Sequence, residues 1–414
     1  MHCKLTKVVA LVLLGVILAT VPGLVGCGGG GEPGVKEIKF GWVWDFTGRA
    51  AKGTTELLGG MQDYLRMLDE TDNPLPGVKI KVLTYDGRSE ASRVLAGYVW
   101  MKGQGADLIS CAPHDVAMLR PSFEADKIPF FISSTMNVNL DSEWVVSQYG
   151  SPESQLEVIL QWIQDNWQNY PTKPKVGFVG LAGVPFYVAQ RDTVEKWAAT
   201  NHADKFQWVG AEMAPSTTTS WAVEISKLKT CDYIMVGMSG PPLASFLIEA
   251  KNRGVTSVLA GPLESYLAFW GLVKGAVPES ALDGVISGYF YLWWNEDEPV
   301  VNAVKEWAPK YHTQAEMNNM YQGTGELMGW ALGMIVEDAV RRAVANVGAE
   351  NVDGIALLQA LKEVNMTVEG FPIPWKVSAK ANAILRAVQL LKYSASAGDW
   401  QLLQDWKVPS VLAD

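Results

Sequence analysis

From Lys36 onward the sequence alternates between short apolar runs and longer amphipathic stretches, and that rhythm restricts the fold more than any other feature. "KEIKFGWV" has the period-two pattern of a strand, and "TTELLGGMQDYLRMLDE" has the three-to-four spacing of a helix. "VKIKVLTYD" reads as a second strand, introduced by the turn residues Asn73-Pro74-Leu75-Pro76-Gly77. "SEASRVLAGYVWMKGQG" is the next helix, closed by Gly103 and Gly105. Short apolar runs follow at 108–111 and 129–133, each ending in small or polar residues. This βαβα order predicts a parallel sheet covered by helices on both faces.

A second set begins after "SQYGSPES", where Ser154 and Glu157 have the spacing of a capping box. Leu156, Ile159, Leu160, Ile163 and Trp167 then share one helical face. "KVGFVGL", "FQWVGAEM", "CDYIMVGM" and "SVLAGP" read as strands, with helices over 186–201, 220–229 and 241–253 between them. A long helical stretch over 320–347 and "VDGIALLQALKEV" come later, and "PWKVS", "AVQLLKY" and "WQLLQDW" close the chain as short strands. The pattern is that of two α/β units of similar make-up.

The N-terminus has a different character. His2, Lys4 and Lys7 form a basic head, 8–19 is uninterruptedly apolar, and Thr20, Pro22 and Gly23 break the run before Leu24-Val25-Gly26-Cys27. A basic head, an apolar middle and a small-residue ending define a secretory signal. The ending resembles the lipobox of bacterial lipoproteins, which makes residues 1–26 a signal peptide and Cys27 a lipid anchor. Residues 27–35, with "GGGG", become a flexible tether. The competing reading, an uncleaved membrane helix, needs about 17–25 apolar residues, and Pro22 with its neighbouring glycines interrupts the run. Stable anchoring needs two or more acyl chains.

Removing residues 1–26 takes two lysines and no acid, moving the formal charge from −10 to −12. An acidic chain without a basic cluster is a poor nucleic-acid binder. Four scattered histidines, no HExxH and no CxxC give no metal motif, and no cofactor fingerprint stands out. Cys3 leaves with the signal. Cys111 and Cys231 can pair in an oxidising compartment, but they sit in different units and are expected to be unpaired, buried thiols.

The ordered series of segments resembles the type I periplasmic substrate-binding proteins of ABC transporters, in the branched-chain amino acid group. "IKFGWVWDFTGRAAKGTTELLGGMQDYLRMLDE" is similar to that family's opening strand, its "P-L-T-G" loop and first helix. "KIPFFISSTMN" is similar to its "I-P-x-I-S-P-S-A-T" segment. "TTTSWAVEISKLKTCDYIMVG", "ASFLIEAKNRGVTSVLAGP" and "GFPIPWKVSAKAN" followed by "RAVQLLKY" and "GDWQLL" resemble later stretches. The resemblance implies an α/β protein of two Rossmann-like lobes joined by three hinge crossovers. Lobe 1 is expected at 36–148 plus 284–363, and lobe 2 at 149–283 plus 370–414. Ligands of open α/β sheets bind beyond the carboxyl ends of the strands, so a cleft between the lobes would hold one.

The candidate ligand residues lie in the loops after the strands. Thr47 follows the first strand, Ala112 and His114 the third, and Ser133, Thr135 and Asn137 the fourth. Such loops offer hydroxyls and backbone N–H groups to an anionic group, or else cap the next helix; His114 has both readings open. Phe186 and Tyr187 stand where the family often covers its ligand with an aromatic ring, and Ser239 follows the strand "YIMVG". Glu264 is near the family's ammonium-pairing acid, one position late; the alternative is an acid at an exposed helix start. Tyr291 belongs to the aromatic run Tyr289, Tyr291, Trp293 and Trp294, which either stacks on a ligand or packs a hinge. Ala112-Pro113-His114-Asp115 and Met136-Asn137 depart from the family's small hydroxyls and Ala-Thr, so the amino-acid clamp is partly rewritten.

The expected function is that of an extracytoplasmic, lipid-anchored monomer that captures a small organic ligand (an amino acid, an amide or an aromatic compound). It would deliver this ligand to an ABC permease and its ATPase subunits. A ligand-sensing receptor module on the same fold is the alternative. An enzyme is disfavoured: "GFVGLAGVPF" is not GxGxxG, and Pro241 stands where "VGMSGPP" would need the second glycine of a nucleophile elbow.

Overall fold

The computed structural model describes residues 35–414 apart from residue 49. The signal segment, the Cys27 anchor and all but the last residue of the tether lie outside the described residues. Among those described, no helix is long and apolar enough to cross a membrane.

Two sheets organise the chain. In the first, β1 (Lys36–Trp44), β2 (Val78–Asp86), β3 (Leu108–Cys111), β4 (Phe130–Ile132) and β5 (Val145–Tyr149) are parallel. The second contains β6 (Lys175–Leu181), β7 (Gln207–Ala214), β8 (Tyr233–Gly237), β9 (Val258–Gly261) and β10 (Ile286–Tyr289), also parallel. A short pair, β11 (Asn365–Met366) and β12 (Trp375–Lys376), leads to β13 (Ala383–Leu385), β14 (Val388–Ser394) and β15 (Asp399–Lys407). β13 joins the first sheet beside β5, whereas the antiparallel β14 and β15 extend the second beyond β10. The strand orders are β2-β1-β3-β4-β5-β13 and β7-β6-β8-β9-β10-β14-β15. The parallel cores thus share one doubly wound order, as the repeated rhythm predicts.

The chain crosses between lobes after Tyr149, after Tyr289 and after Leu385. Two crossings fall later than the sequence suggested: 286–289 pairs with the second sheet rather than beginning lobe 1, and 383–385 pairs with the first. The reason is ladder geometry, since Ile286 aligns with Ala260 and Ala383 with Ser147. At the first crossing Gly150 is tightly enclosed: a Cβ there would lie 2.4 Å from Leu412 and 2.7 Å from Phe290.

Some local signals resolve differently from their sequence reading. Ser151, not Ser154, caps the helix Pro152–Asn166, accepting from the Ser154 N–H at 3.0 Å. Glu157 accepts instead from the Ser410 N–H at 2.6 Å. The helix begun at Pro185 runs to Glu195 and loosens into a wider turn over Lys196–Asn201. The stretch over 320–347 is broken into helices Gln314–Met320 and Gly325–Val347. Cys111 and Cys231 are free and buried.

In lobe 1, helices Ala51–Glu70 and Gly325–Val347 approach backbone to backbone. A Cβ on Gly60 would lie 2.4 Å from the Glu326 carbonyl, and one on Gly329 2.3 Å from that of Leu57. Only glycine permits this spacing.

Candidate functional site

In each sheet the chain reverses its winding at the central strand pair, β1/β3 in lobe 1 and β6/β8 in lobe 2. A crevice forms beyond such a switch point because consecutive connections leave on opposite faces. Thr47, Ala112 and His114 lie after β1 and β3; Phe186, Tyr187 and Ser239 lie after β6 and β8. All six are in loops or first helical turns at strand ends.

Thr47 is exposed, and its hydroxyl donates to Asp86 Oδ2 at 2.5 Å. This ties the loop after β1 to the end of β2. Desolvation opposes it, yet hydrogen bonds from Thr47 and Arg88 hold the Asp86 carboxyl below its usual range. Ala112 is buried, whereas His114 is exposed with Nε2 3.7 Å from Asp115. In lobe 2 the Tyr187 and Ser239 hydroxyls lie 3.0 Å apart, and buried Phe186 packs edge-on to Tyr187 at 5.6 Å.

The loop after β4 reaches across to lobe 2. Ser134 Oγ lies 3.0 Å from Glu264 Oε1 and 3.1 Å from the Gly150 carbonyl. Glu264 Oε2 accepts from Gln155 Nε2 at 2.9 Å, and Gln155 Oε1 accepts from the Leu263 N–H at 2.7 Å. Glu264 is thus partly buried, with both carboxyl oxygens hydrogen-bonded. Burial raises its carboxyl to about 7 against the hydrogen bonds from Gln155 and Ser134. Burial also raises the Tyr149 phenol, with the Glu264 charge adding to the effect.

A second bridge lies beside the first crossing. The Asn137 N–H donates to Glu153 Oε1 at 3.0 Å, and Ser151 Oγ donates to Asn137 Oδ1 at 2.5 Å. Thr135 Oγ accepts from Asn139 Nδ2 at 2.9 Å and donates to the Pro113 carbonyl at 3.3 Å. Buried Ser133 uses its carbonyl to accept from the Tyr149 N–H at 3.1 Å. Burial raises Glu153 to about 7, against hydrogen bonds that include the one from the Asn137 N–H, and its Oε2 is enclosed without a partner.

Tyr291 is fully buried between Phe371 and Trp375, with ring centroids at 5.2 and 5.8 Å. It therefore packs within the aromatic cluster beside the second crossing. The sequence reading missed Gln155 and Glu153 and did not choose Ser134. All of Pro152–Leu156 is buried, so this first turn has no polar face to betray its interlobe contacts.

Hydroxyls, amides and two near-neutral carboxyls line the seam, able to donate or accept according to protonation.

The model of the family described as "Periplasmic binding protein" matches residues 37–399. The chain belongs to that family. It has the type I fold, and its family places it among the solute-binding proteins of ABC transporters. Among similar solved structures is a branched-chain amino acid ABC transporter protein from Thermus thermophilus with bound valine. It has 16% identity and a TM-score of 0.76, covering 92% of this chain and 98% of that one. A fatty acid ABC transporter substrate-binding protein from Thermomonospora curvata has 17% identity and a TM-score of 0.74, covering 92% and 95%. A solute-binding protein from R. palustris in complex with benzoate has 17% identity and a TM-score of 0.71, covering 91% and 98%. Among curated proteins, none matches this sequence.

Proposed function

We propose that the chain is a lipid-anchored, extracytoplasmic receptor that closes its lobes on a small organic ligand and presents it to an ABC permease. The ligand is an amino acid, an amide or an aromatic compound. The observation that carries this reading is Glu264, held between Ser134 of one lobe and Gln155 of the other. Hinged lobes bind tightly only when both contact the ligand, so a polar group shared across the seam is where closure and recognition meet. Thr135, Asn137, Tyr187 and Ser239 complete the proposed lining, with Thr47 and His114 at its rim.

Glu264 also separates the ligand classes. An ammonium group favours the ionised carboxylate, so its binding near pH 7 drives the Glu264 proton off to solvent, whereas an aromatic acid or an amide meets the neutral carboxyl. A thermal-shift screen across amino acids, amides and aromatic acids is expected to reveal one stabilising class. Glu264→Gln should weaken an amine-bearing ligand by tenfold or more, about 1.4 kcal/mol. No shift with any class would overturn the reading. Cys27→Ala is expected to release the protein from membranes; continued attachment would remove the anchor.

A further inference from the structure

Within lobe 1, three side chains distant in sequence converge where the helices Ala51–Glu70 and Gly325–Val347 are in close contact. Asp63 lies on the first helix, Glu326 opens the second, and His312 follows the helix Pro299–Tyr311. His312 Nε2 is 2.5 Å from Asp63 Oδ2, and one donor atom from each residue lies within 4.8 Å of the others. Glu326 is fully buried, and apart from a carboxyl–carboxyl contact with Asp63 its oxygens have no hydrogen-bond partner. Among the described residues, neither carboxylate forms an ion pair with a lysine or arginine; His312 is the one ion-pair partner, on Asp63. Two carboxyls meeting in this pocket must share a proton or take up a cation, since one partly buried imidazole is the one ion-pair partner among the described residues.

We propose that Asp63, His312 and Glu326 bind one divalent first-row transition ion of the zinc class. Each carboxylate contributes one oxygen, and the imidazole contributes Nε2. Two carboxylates and a divalent ion sum to zero charge, so the ion can take the place of the proton the two carboxyls otherwise share. A mixed nitrogen and oxygen donor set suits zinc, cobalt or manganese better than ions demanding an all-oxygen shell. Such ions sit about 2.0–2.2 Å from their donors, so the His312–Asp63 contact opens slightly to admit one. His312 is only partly buried, which supplies a route from solvent and leaves a coordination position for water. The ion joins segments 249 residues apart in sequence and binds only the folded lobe, so it stabilises that lobe.

The test uses the full chain, stripped of metal and titrated with zinc chloride by calorimetry and with cobalt chloride by visible absorption. One equivalent is expected to bind, with a rise in melting temperature. His312→Ala and Glu326→Gln should each weaken binding about tenfold or more, while His202→Ala should not. Glu326→Gln keeps the shape of the side chain, and its cooperative melting in chelator confirms that it is folded. Absence of saturable binding, or binding unchanged by both His312→Ala and Glu326→Gln, overturns the site.

Discussion

Glu264→Gln exchanges one carboxyl oxygen for an amide nitrogen at a partly buried, hydrogen-bonded position, and its effect on stability should depend on pH in a defined way. Burial lifts the Glu264 carboxyl from 4.5 to about 7. A raised folded-state value means that the fold favours the protonated form. The unfolded chain ionises first, so wild-type stability falls as pH rises from about 4.5 and levels off above about 7. At about 1.36 kcal/mol per unit, the loss accumulated between pH 5 and pH 8 is about 2.5 kcal/mol. The substituted amide does not titrate and can satisfy the same partners. Its Nε2 would donate to Ser134, whose proton then goes to Gly150, and its Oε1 would accept from Gln155. Urea denaturation at pH 5 and pH 8 should therefore show the variant gaining on wild type by about 2.5 kcal/mol. Glu153 titrates in both proteins and largely cancels. A gap that stays constant across that range would refute the argument.

Gly150→Ala would force a Cβ to within 2.4 Å of Leu412 and 2.7 Å of Phe290; a loss of about 1–3 kcal/mol by urea denaturation is expected. Gly329→Ala meets the Leu57 carbonyl at 2.3 Å, so its urea midpoint should fall despite alanine's better helix propensity. A rise would show that the two helices can separate cheaply. Tyr187→Phe removes the hydroxyl 3.0 Å from Ser239 and should cost about 0.5–1.5 kcal/mol in thermal unfolding while weakening the ligand found by screening.

The architecture is legible because period-two runs and three-to-four spacing repeat along the chain, and each parallel core strand stands out as an apolar run except β5 and β10. β5 is "VVSQY", where the buried Ser147 hydroxyl and Gln148 Nε2 donate to the Ser133 and Met328 carbonyls. β10 is "ISGY", four residues with a serine and a glycine at its centre. β13 has three residues, too few to display a period, and its membership depends on pairing with β5. Glu264 was visible as an acid after β9, but its partner Ser134 lies 130 residues away. The Asp63, His312 and Glu326 cluster had no spacing signal because three separate helical segments supply it.

The late strands make both lobes depend on the same short stretch of chain. β13 completes one sheet and β14 with β15 the other, so both remain unfinished until residues 383–407 exist. A chain cut short before residue 383 would leave an open edge on each sheet, so one brief C-terminal stretch seals both halves at once.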